Sequence, residues 1–354
     1  MNRLQLFVDI RASGQSGLGR YVDDVVLPVC KKLEDKFDIF YLVNELRPDL
    51  NNNILINVVH FSIKEQFLFF TLKEKYDFIW FPTLAQPLFG FSNRIVTIHD
   101  FAQFIFREKT LKLRLRKYIS KLFFRSIIYH SHLIIFNSKF TQSEFQKYFP
   151  LKVNSKNQIS IDLSTIDHKK AIRYKKNNNS ILFVGNLKHT KNLQLLVTSL
   201  VNLEGFHLTI VTNGYGRIKD NSFSYLNKID NAKITILWNI TNQELTALYN
   251  KSDLYVMPSF YEGWGYTPYE ALQCGCNIIV SNIPPINQFL KSYDFKFDPR
   301  SRNELKKLLT NYLIMHEEEK KDLFLKTKLI IPSRQDEDVV NETYQLISRV
   351  LSYG

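Results

Sequence analysis

The sequence contains little cysteine. Three cysteines occur among 354 residues, Cys30, Cys274 and Cys276. An odd number without spaced pairs argues against a disulfide scaffold. Cys274 and Cys276 are two positions apart with no cluster of His or Cys around them, so we expect no zinc site. The small, odd number of cysteines therefore indicates a protein of a reducing compartment.

Long apolar runs are also missing. No stretch reaches the roughly 18 apolar residues that a membrane-spanning helix needs. The nearest candidate, residues 118–136, is interrupted by two cations and two histidines. At the N-terminus, a short apolar run ends at Asp9, which favours a buried first strand over a signal peptide. We expect a cytoplasmic protein, peripheral on the inner face of the cytoplasmic membrane.

Acidic residues are fewer than basic ones. Lysine and arginine number 47 against 34 Asp and Glu, for a net charge of +13 and a pI of about 9.4. Such an excess attracts polyanions, so nucleic acid, anionic lipid and phosphorylated substrates remain open, as does a basic surface that only keeps the protein soluble. Zinc-finger, recognition-helix and RNA-binding signatures are absent, so no specific nucleic acid is expected.

Short apolar runs alternate with longer helical patterns along the chain, which predicts parallel sheets covered on both faces. The polar, basic segment HKKAIRYKKNNNS separates two such series. We therefore predict an α/β protein with two Rossmann-like domains that face a central cleft, and a last helix that can cross back to the first domain. The predicted boundaries are 1–167 for the N-terminal domain, 168–180 for the linker, 181–335 for the C-terminal domain and 336–354 for the last helix.

The densest chemical pattern is PSFYEGWGYTPYEALQCGCNIIVSN at 258–282. Gly263 and Gly265 lie at a strand-to-helix turn, and a helix that begins near Thr267 would present free backbone N–H groups to an anion such as a diphosphate. Glu262 in the loop can contact a sugar hydroxyl. Glu270, one turn into the helix, can accept hydrogen bonds from both hydroxyls of a ribose.

This segment resembles the signature of the retaining glycosyltransferases of family 4, which have the two-domain GT-B fold. The family pattern is a Glu, seven residues and a second Glu, here Glu262 and Glu270. ILFVGNLKHTKNLQLLV at 181–197 is similar to the opening of the family's second domain, with a helix predicted from Lys191 to Leu203. The resemblance implies that Lys191 binds the donor diphosphate. Asn186 stands where many members carry an arginine, so either Lys188 substitutes or Lys191 and the backbone act alone.

In the first domain, DIRASGQSGLGRYVDDVV resembles the family's opening strand and glycine loop, followed by a helix predicted from Gly19 to Lys36. Gly17 and Gly19 allow the backbone to approach the donor. Arg20 faces either an acceptor phosphate or solvent. TIHDFAQF at 97–104 resembles the family strand that ends in His-Asp, which implies that His99 contacts the donor sugar near the reacting carbon.

The resemblance thus implies a site built from both domains. The catalytic residues would be His99, Lys191 and Glu262. Donor-binding residues would be Gly17, Gly19, Asn186, Gly263, Trp264, Gly265, Tyr266, Thr267 and Glu270, and Arg20 is a candidate acceptor contact.

The expected reaction moves a hexose, with mannose or rhamnose preferred, from a GDP-, UDP- or dTDP-linked donor to a lipid-linked or oligosaccharide acceptor in surface-polysaccharide synthesis. No cofactor is expected. The one D-x-D sequence, Asp336 to Asp338, lies at a predicted helix start, so a metal is not expected. The alternatives are another nucleotide-sugar enzyme on the same fold, such as an epimerase, and a nonspecific polyanion binder.

The basic and aromatic stretch 111–130 permits two interpretations. It can be an amphipathic helix on an anionic membrane surface, or a scaffold helix with a basic face in solvent. Its cations do not gather on one clean face, which favours the scaffold helix slightly, with weak attraction to an anionic membrane added by the net charge.

Overall fold

The structure, a computed structural model, describes residues 3–14, 16–58, 60, 62–72, 76–88, 93–105, 111–150, 158–161, 176–213, 221–330 and 336–352. The chain divides into two compact units. Unit 1 comprises Met1–Thr165 together with Arg334–Gly354, and unit 2 comprises Ile166–Ser333. The end of the chain therefore completes the unit that its beginning forms.

The strands of the described residues are numbered in chain order. They are β1 Leu4–Asp9, β2 Phe37–Val43, β3 Asn53–Leu55, β4 Phe78–Phe81, β5 Arg94–Ile98, β6 Ser131–Phe136, β7 Gln158–Ser160, β8 Asn177–Val184, β9 His207–Thr212, β10 Ile234–Trp238, β11 Ser252–Met257, β12 Asn277–Ser281 and β13 Lys296–Phe297.

The helices are numbered in the same way. They are α1 Ser16–Tyr21, α2 Leu27–Leu33, α3 Ile63–Leu72, α4 Ala102–Ile105, α5 Leu111–His130, α6 Lys139–Tyr148, α7 Leu193–Leu200, α8 Asn242–Lys251, α9 Tyr266–Gln273, α10 Pro284–Phe289, α11 Arg302–Leu313, α12 Glu317–Ile330 and α13 Asp336–Ser352.

Each unit contains one parallel sheet. The order in unit 1 is β3-β2-β1-β4-β5-β6-β7, and the order in unit 2 is β10-β9-β8-β11-β12-β13. Every strand pair in both sheets is parallel. The predicted α/β class with two Rossmann-like domains is thus confirmed. Because all strands of a sheet run the same way, the loops after their carboxyl ends meet at one edge, where ligands bind in such folds.

Both faces of the unit 2 sheet are buried. Successive residues of β11 alternate between two core clusters: Leu254 and Val256 lie in one, and Tyr255 and Met257 in the other. This is the side-chain period of a strand that is covered by helices on both sides. The last four residues of β11 are therefore apolar, whereas the strand begins with Ser252 and Asp253, and the buried Asp253 pairs with Lys320 at 2.7 Å.

The first helical stretch differs from the single helix predicted from Gly19 to Lys36. It is α1, then a π-helical turn at Val22–Val26, then α2, and the Leu27 N–H bonds to the carbonyl of Val22. The cause is Pro28, which has no N–H and whose ring would meet the carbonyl four residues earlier in a regular helix. The extra residue in the π turn carries the helix past this point.

The last helix, α13, packs on α2 within unit 1. Lys32 Nζ donates to Asn341 Oδ1 at 2.6 Å, and Lys36 Nζ lies 5.7 Å from the ring centroid of Tyr344. The apolar side of α13 is buried, with Val339 at 2% and Ile347 at 0% exposure. The predicted crossing of the last helix to the first domain is therefore present.

Other predicted elements can be compared directly. Thr241 and Glu244 form a capping box at the start of α8, and Ser138 caps α6 by accepting the Thr141 N–H at 3.0 Å. The linker predicted at 168–180 is partly wrong, since residues 177–180 belong to β8, while 168–175 lie outside the described residues. Within the described part of the chain, no helix combines the length and hydropathy needed to cross a membrane.

Candidate active site

The centre of the candidate site in unit 2 is an ion pair at the carboxyl edge of the sheet. Lys191 Nζ donates to both carboxylate oxygens of Glu262, at 2.7 and 2.8 Å. The two side chains retain 20% and 14% of their exposure. Lys191 follows β8 and Glu262 follows β11, which are neighbours in the sheet. The structure therefore joins two residues that are 71 positions apart, and it leaves them within reach of solvent.

Lys191 lies in a short 3₁₀ turn, His189–Lys191, and not in a helix that runs from Lys191 to Leu203 as predicted. Asn192, at φ 52°, separates this turn from α7. Its side-chain amide donates to the carbonyls of Pro258 at 3.0 Å and Pro299 at 2.9 Å. These two bonds hold the left-handed conformation of Asn192, and so they end the turn just after the lysine.

The turn and the loop that carries Glu262 are tied together. The Phe260 N–H donates to the Thr190 carbonyl at 2.9 Å. The rings of His189 and Phe260 stack at 5.2 Å with an interplanar angle of 15°. A Cβ on Gly185 would be in ordinary van der Waals contact with the Lys191 side chain, at 3.5 Å. The cation is therefore placed by two loops that contact each other.

Gly265 fixes the start of α9. Its φ is 119°, and a Cβ on it would lie 2.5 Å from Ile286 Cδ1. Gly265 is the N-cap residue and makes no side-chain cap bond, so no side chain caps the positive end of the α9 dipole. This confirms the predicted glycine turn into a helix, which begins at Tyr266, one residue before the predicted Thr267.

Glu270 is buried on α9, with 2% exposure. The hydroxyl of Tyr249 donates to its Oε2 at 3.0 Å. The neighbouring Tyr255 donates from its hydroxyl to Thr267 Oγ1 at 2.6 Å, and burial raises the pKa of Tyr255 well above its usual value. A buried carboxylate is costly unless it is hydrogen-bonded. Glu270 is therefore not a solvated surface glutamate.

Three predicted donor-binding residues lie in different surroundings. Trp264 is 3% exposed and stacks on Phe289 at 5.2 Å, so its indole belongs to the core and its backbone is what it can offer a ligand. Tyr266 packs beside Trp264 at 5.1 Å. Asn186 is exposed, and its Oδ1 accepts the Lys188 N–H at 3.2 Å.

A cavity of about 330 Å³ adjoins the Phe260 side of the turn. It is lined by Phe260, Asn282, Ile283, Pro284, Asp298, Pro299 and Arg300. Two of these residues, Phe260 and Pro299, are the ones that the turn around Lys191 contacts through His189 and Asn192. Neither Lys191 nor Glu262 lines the cavity, so it is connected to the ion pair only through these neighbouring residues. The sequence did not mark this cavity.

In unit 1, His99 follows β5 and is 8% exposed. Its Nε2 donates to the Pro82 carbonyl at 2.8 Å, and its ring meets that of Tyr21 edge-on at 4.9 Å. A carbonyl can only accept, so Nε2 carries the proton and Nδ1 is left as an acceptor. Burial lowers the pKa of His99 below 6.5. The imidazole is thus held neutral near pH 7.

In the glycine loop of unit 1, the space beside Gly19 is filled by the backbone of residues 12–14. A Cβ on Gly19 would lie 2.5 Å from the carbonyl oxygen of Ala12, whereas a Cβ on Gly17 would meet nothing within 4 Å. Gly19 is therefore required for the packing of residues 12–14 against α1. Arg20 is 8% exposed, so the alternative of a solvated helix residue is wrong.

A charged cluster that the sequence did not reveal lies just after β1. Arg11 Nη2 donates to Asp9 Oδ2 and to Glu65 Oε1, both at 2.6 Å. The exposed fractions of the Arg11, Asp9 and Glu65 side chains are 0%, 3% and 0%. His60 Nδ1 lies 3.2 Å from Glu65 Oε1. Asp9 and Arg11 are near in sequence, but Glu65 joins them from α3.

Comparison with known proteins finds a family model that is similar to most of unit 2. The family model of glycosyl transferases group 1 matches residues 164–324. The chain is 25% identical over 227 residues to the O-antigen chain mannosyltransferase RfbU of Salmonella typhimurium, covering 62% of this chain and 60% of RfbU. It is 34% identical over 74 residues to the serotype-specific mannosyltransferase WbdA of Escherichia coli, covering 21% of this chain and 9% of WbdA. It thus spans less than two thirds of either relative.

The structure of Anabaena Alr3699/HepE, solved in complex with UDP and glucose, is similar with a TM-score of 0.68 at 13% identity. The alignment covers 98% of this chain and 100% of that protein. At this identity the likeness concerns the fold, and it agrees with the predicted GT-B fold. The segment matched by the model of glycosyl transferases group 1 is the one that carries Lys191, Glu262 and Glu270.

Proposed function

We propose that this chain is a retaining glycosyltransferase that moves mannose or rhamnose from a nucleotide-sugar to a lipid-linked or oligosaccharide acceptor of surface-polysaccharide synthesis. The observation that carries the proposal is the Lys191–Glu262 pair beside the start of α9. A cation, a carboxylate and the positive end of a helix dipole at one sheet edge match the charges and hydroxyls of a sugar diphosphate. The named activities of RfbU and WbdA support mannose, and the ligands of HepE support a nucleotide-sugar.

Lys191 would neutralise the negative charge that grows on the departing diphosphate. In the structure Lys191 is paired with Glu262. The donor phosphate would therefore share Lys191 with Glu262 or displace the Glu262 carboxylate. Glu262 would then turn to a hydroxyl of the transferred sugar. Gly263 and Gly265 would let the loop backbone approach the phosphate and sugar, and Lys188 or Asn186 would stand beside them.

Glu270 would accept hydrogen bonds from the two ribose hydroxyls. Its carboxylate is held by Tyr249, so it is oriented before the donor arrives. This orientation reduces the side-chain entropy that is lost on binding. His99 would contact the transferred sugar near the reacting carbon as a neutral imidazole, whose protonated Nε2 is already bonded to Pro82.

Bond exchange would take place on one face of the sugar. The acceptor oxygen forms the new bond to the anomeric carbon as the bond to the diphosphate breaks, and the leaving phosphate accepts the acceptor proton. The configuration is thereby retained. We propose that positive charge for this step comes from Lys191 and the start of α9 without a divalent metal.

The test is a donor panel. GDP-mannose, dTDP-rhamnose and UDP-glucose are each added to the protein, and thermal stabilisation and slow release of free sugar are measured. We expect one donor to stabilise the protein, and Glu270→Gln and Lys191→Met to remove that stabilisation. Lys233→Met is the matched control, because Lys233 forms an ion pair with Glu204 elsewhere in unit 2. Binding of no nucleotide or nucleotide-sugar would overturn the proposal.

The donor that binds is then incubated with a lipid-linked acceptor, and the anomeric configuration of the product is determined by NMR. Transfer with retention supports the proposal. Conversion of the donor into an isomeric nucleotide-sugar without transfer would assign an epimerase instead. Activity that survives removal of divalent ions by EDTA supports the metal-independent mechanism, and activity that is lost and restored by added Mg²⁺ contradicts it.

A further inference from the structure

Helix α5 exposes a stripe of large apolar side chains. Their exposed fractions are 81% for Leu111, 58% for Leu115, 59% for Tyr118, 42% for Ile119 and 37% for Leu122. At 3.6 residues per turn these positions fall within an arc of about 100°. A helix of a globular domain normally turns such a stripe towards the core. Here it faces solvent.

Helix α3 exposes a second stripe. Ile63, Phe67 and Phe70 are 77%, 70% and 67% exposed, and their spacing places them on one side of the helix. The opposite side of α3 is buried, with Glu65 and Phe69 at 0% exposure. The outward aromatic residues therefore add nothing to the core of unit 1.

The two helices cover the same face of the unit 1 sheet. Phe69 of α3 and Phe124 and Ile127 of α5 lie in one core cluster. The segment 86–88 joins them, since Gln66 Nε2 on α3 donates to the Gln86 carbonyl at 3.3 Å and Ser126 Oγ on α5 donates to the Leu88 carbonyl. The eight exposed side chains of the two stripes are together termed the α3–α5 surface.

Cations flank the stripe of α5. Arg114, Lys121 and Arg125 are exposed, and helical geometry places them on one side of the stripe within about 40° of one another. The stretch 111–130 contains six lysines and arginines and no acidic residue. The scatter of cations in the sequence favoured a scaffold helix. Which side of α5 is exposed could not be known from the sequence. On the exposed side, apolar residues lie at the centre and cations lie along one flank.

We propose that the α3–α5 surface docks unit 1 on an anionic lipid bilayer. The apolar side chains would enter the headgroup region, and the flanking cations would lie among lipid phosphates, as in helices that bind in the plane of a membrane. Charge favours this partner over a second copy of the chain, because each copy carries a net +13. The inference concerns a surface of unit 1, and it does not depend on the proposed transfer reaction.

The test is co-sedimentation of the full chain with vesicles of phosphatidylcholine alone or with about one-third phosphatidylglycerol. We expect binding to the anionic vesicles, and a loss of about tenfold or more in the triple variant Leu115→Ser, Tyr118→Ser and Leu122→Ser. The matched control is Leu325→Ser with Leu329→Ser, which removes apolar side chains that are 48% and 87% exposed on α12 of unit 2. This control should bind like the wild type.

A second variant addresses charge. Replacing Arg114, Lys121 and Arg125 with glutamine should abolish the preference for anionic vesicles, whereas Lys321→Gln, Lys326→Gln and Lys328→Gln on α12 should leave it intact. Equal losses in both charge variants would assign the binding to net charge, and they would overturn the proposal. So would failure of the wild type to bind anionic vesicles.

A third measurement uses a substitution that keeps a large aromatic side chain at the surface. Tyr118→Trp should give a blue-shifted emission component on anionic vesicles that brominated lipids quench, and no such change without vesicles. An unshifted, unquenched component on vesicles that nonetheless bind the protein would place the contact elsewhere and contradict the proposal. If the wild type has the molar mass of a dimer in solution and the Leu115, Tyr118 and Leu122 variant is monomeric, the surface is a dimer interface instead.

Discussion

Both units place an ion pair after a strand of their sheet, and the two pairs differ in access to solvent. In unit 1, the side chains of Arg11, Asp9 and Glu65 are at most 3% exposed. In unit 2, those of Lys191 and Glu262 are 20% and 14% exposed. A closed network cannot exchange its partners with a ligand, whereas a half-open pair can. Similar chemical groups thus stabilise the fold in one unit and form the candidate site in the other.

The largest effect is expected from opening the closed network. Arg11→Leu leaves two buried carboxylates without their cation, so the free energy of unfolding should fall by about 3–5 kcal/mol. Urea denaturation followed by far-UV circular dichroism measures it. Arg47→Leu is the control, because its pair with Asp49 is 34% and 59% exposed and should contribute less than about 1 kcal/mol. Equal effects of the two variants would remove the distinction drawn between closed and open pairs.

The half-open pair should respond in the opposite way. Lys191→Met should lower the free energy of unfolding by less than Arg11→Leu does, because Glu262 keeps some access to water once its partner is gone, while the transfer rate falls about 100-fold or more because the departing phosphate loses its cation. Initial rates at saturating donor, beside the denaturation midpoint, separate the two effects. A variant that is strongly destabilised but retains its transfer rate once folded would give Lys191 a purely structural role.

A smaller effect is expected at the glycine that begins α9. Gly265→Ala combines an unfavourable φ with a Cβ placed 2.5 Å from Ile286 Cδ1, so the free energy of unfolding should fall by about 1–3 kcal/mol. Ile286→Val removes the clashing atom, and the double variant should lose less stability than the sum of the two single changes. Strict additivity of the two losses would show that the clash is absent.

The smallest effect concerns pH. The pKa of His99 lies below its ordinary 6.5 because of burial, so the unfolded chain takes up this proton more readily than the folded one. The stabilising contribution of neutral His99 is complete above pH 6.5 and is lost as the pH falls through the lowered pKa. His99→Asn should therefore lose less stability than the wild type between pH 7.5 and 5.5 in denaturation experiments. An identical loss in both proteins would contradict this expectation.

Local patterns predicted the fold well where local forces determine it. The short apolar runs became strands, for example β1, β4 and β5, because apolar residues between turns have little alternative to a buried sheet. The capping box of Thr241 and Glu244 formed because both partners lie within one turn. The short strands β3 and β7 carry only three residues each, too few for an apolar pattern to mark them.

Motifs in the sequence indicated which residues to consider for the candidate site, but they did not indicate the contacts that these residues make. The spacing of Glu262 and Glu270 indicated both carboxylates, but the tyrosine that holds Glu270 comes from α8, 21 positions earlier. The turn that carries Lys191 ends at Asn192 because of carbonyls 66 and 107 positions away. Such contacts depend on tertiary packing, so a window of sequence contains no sign of them. The exposed stripes of α3 and α5 are similar, since their spacing predicts a core face as readily as a free one.

The place of α13 has a consequence for the order in which the protein is completed during synthesis. Unit 2 is continuous from Ile166 to Ser333, whereas unit 1 needs residues made after all of unit 2. Unit 2 can therefore acquire its full set of contacts while the buried side of α2 in unit 1 still lacks Val339, Val340 and Ile347. The apolar side of α2 therefore stays exposed until α13 has been synthesised. Nascent chains that stop before residue 336 should be the ones that chaperones and proteases engage.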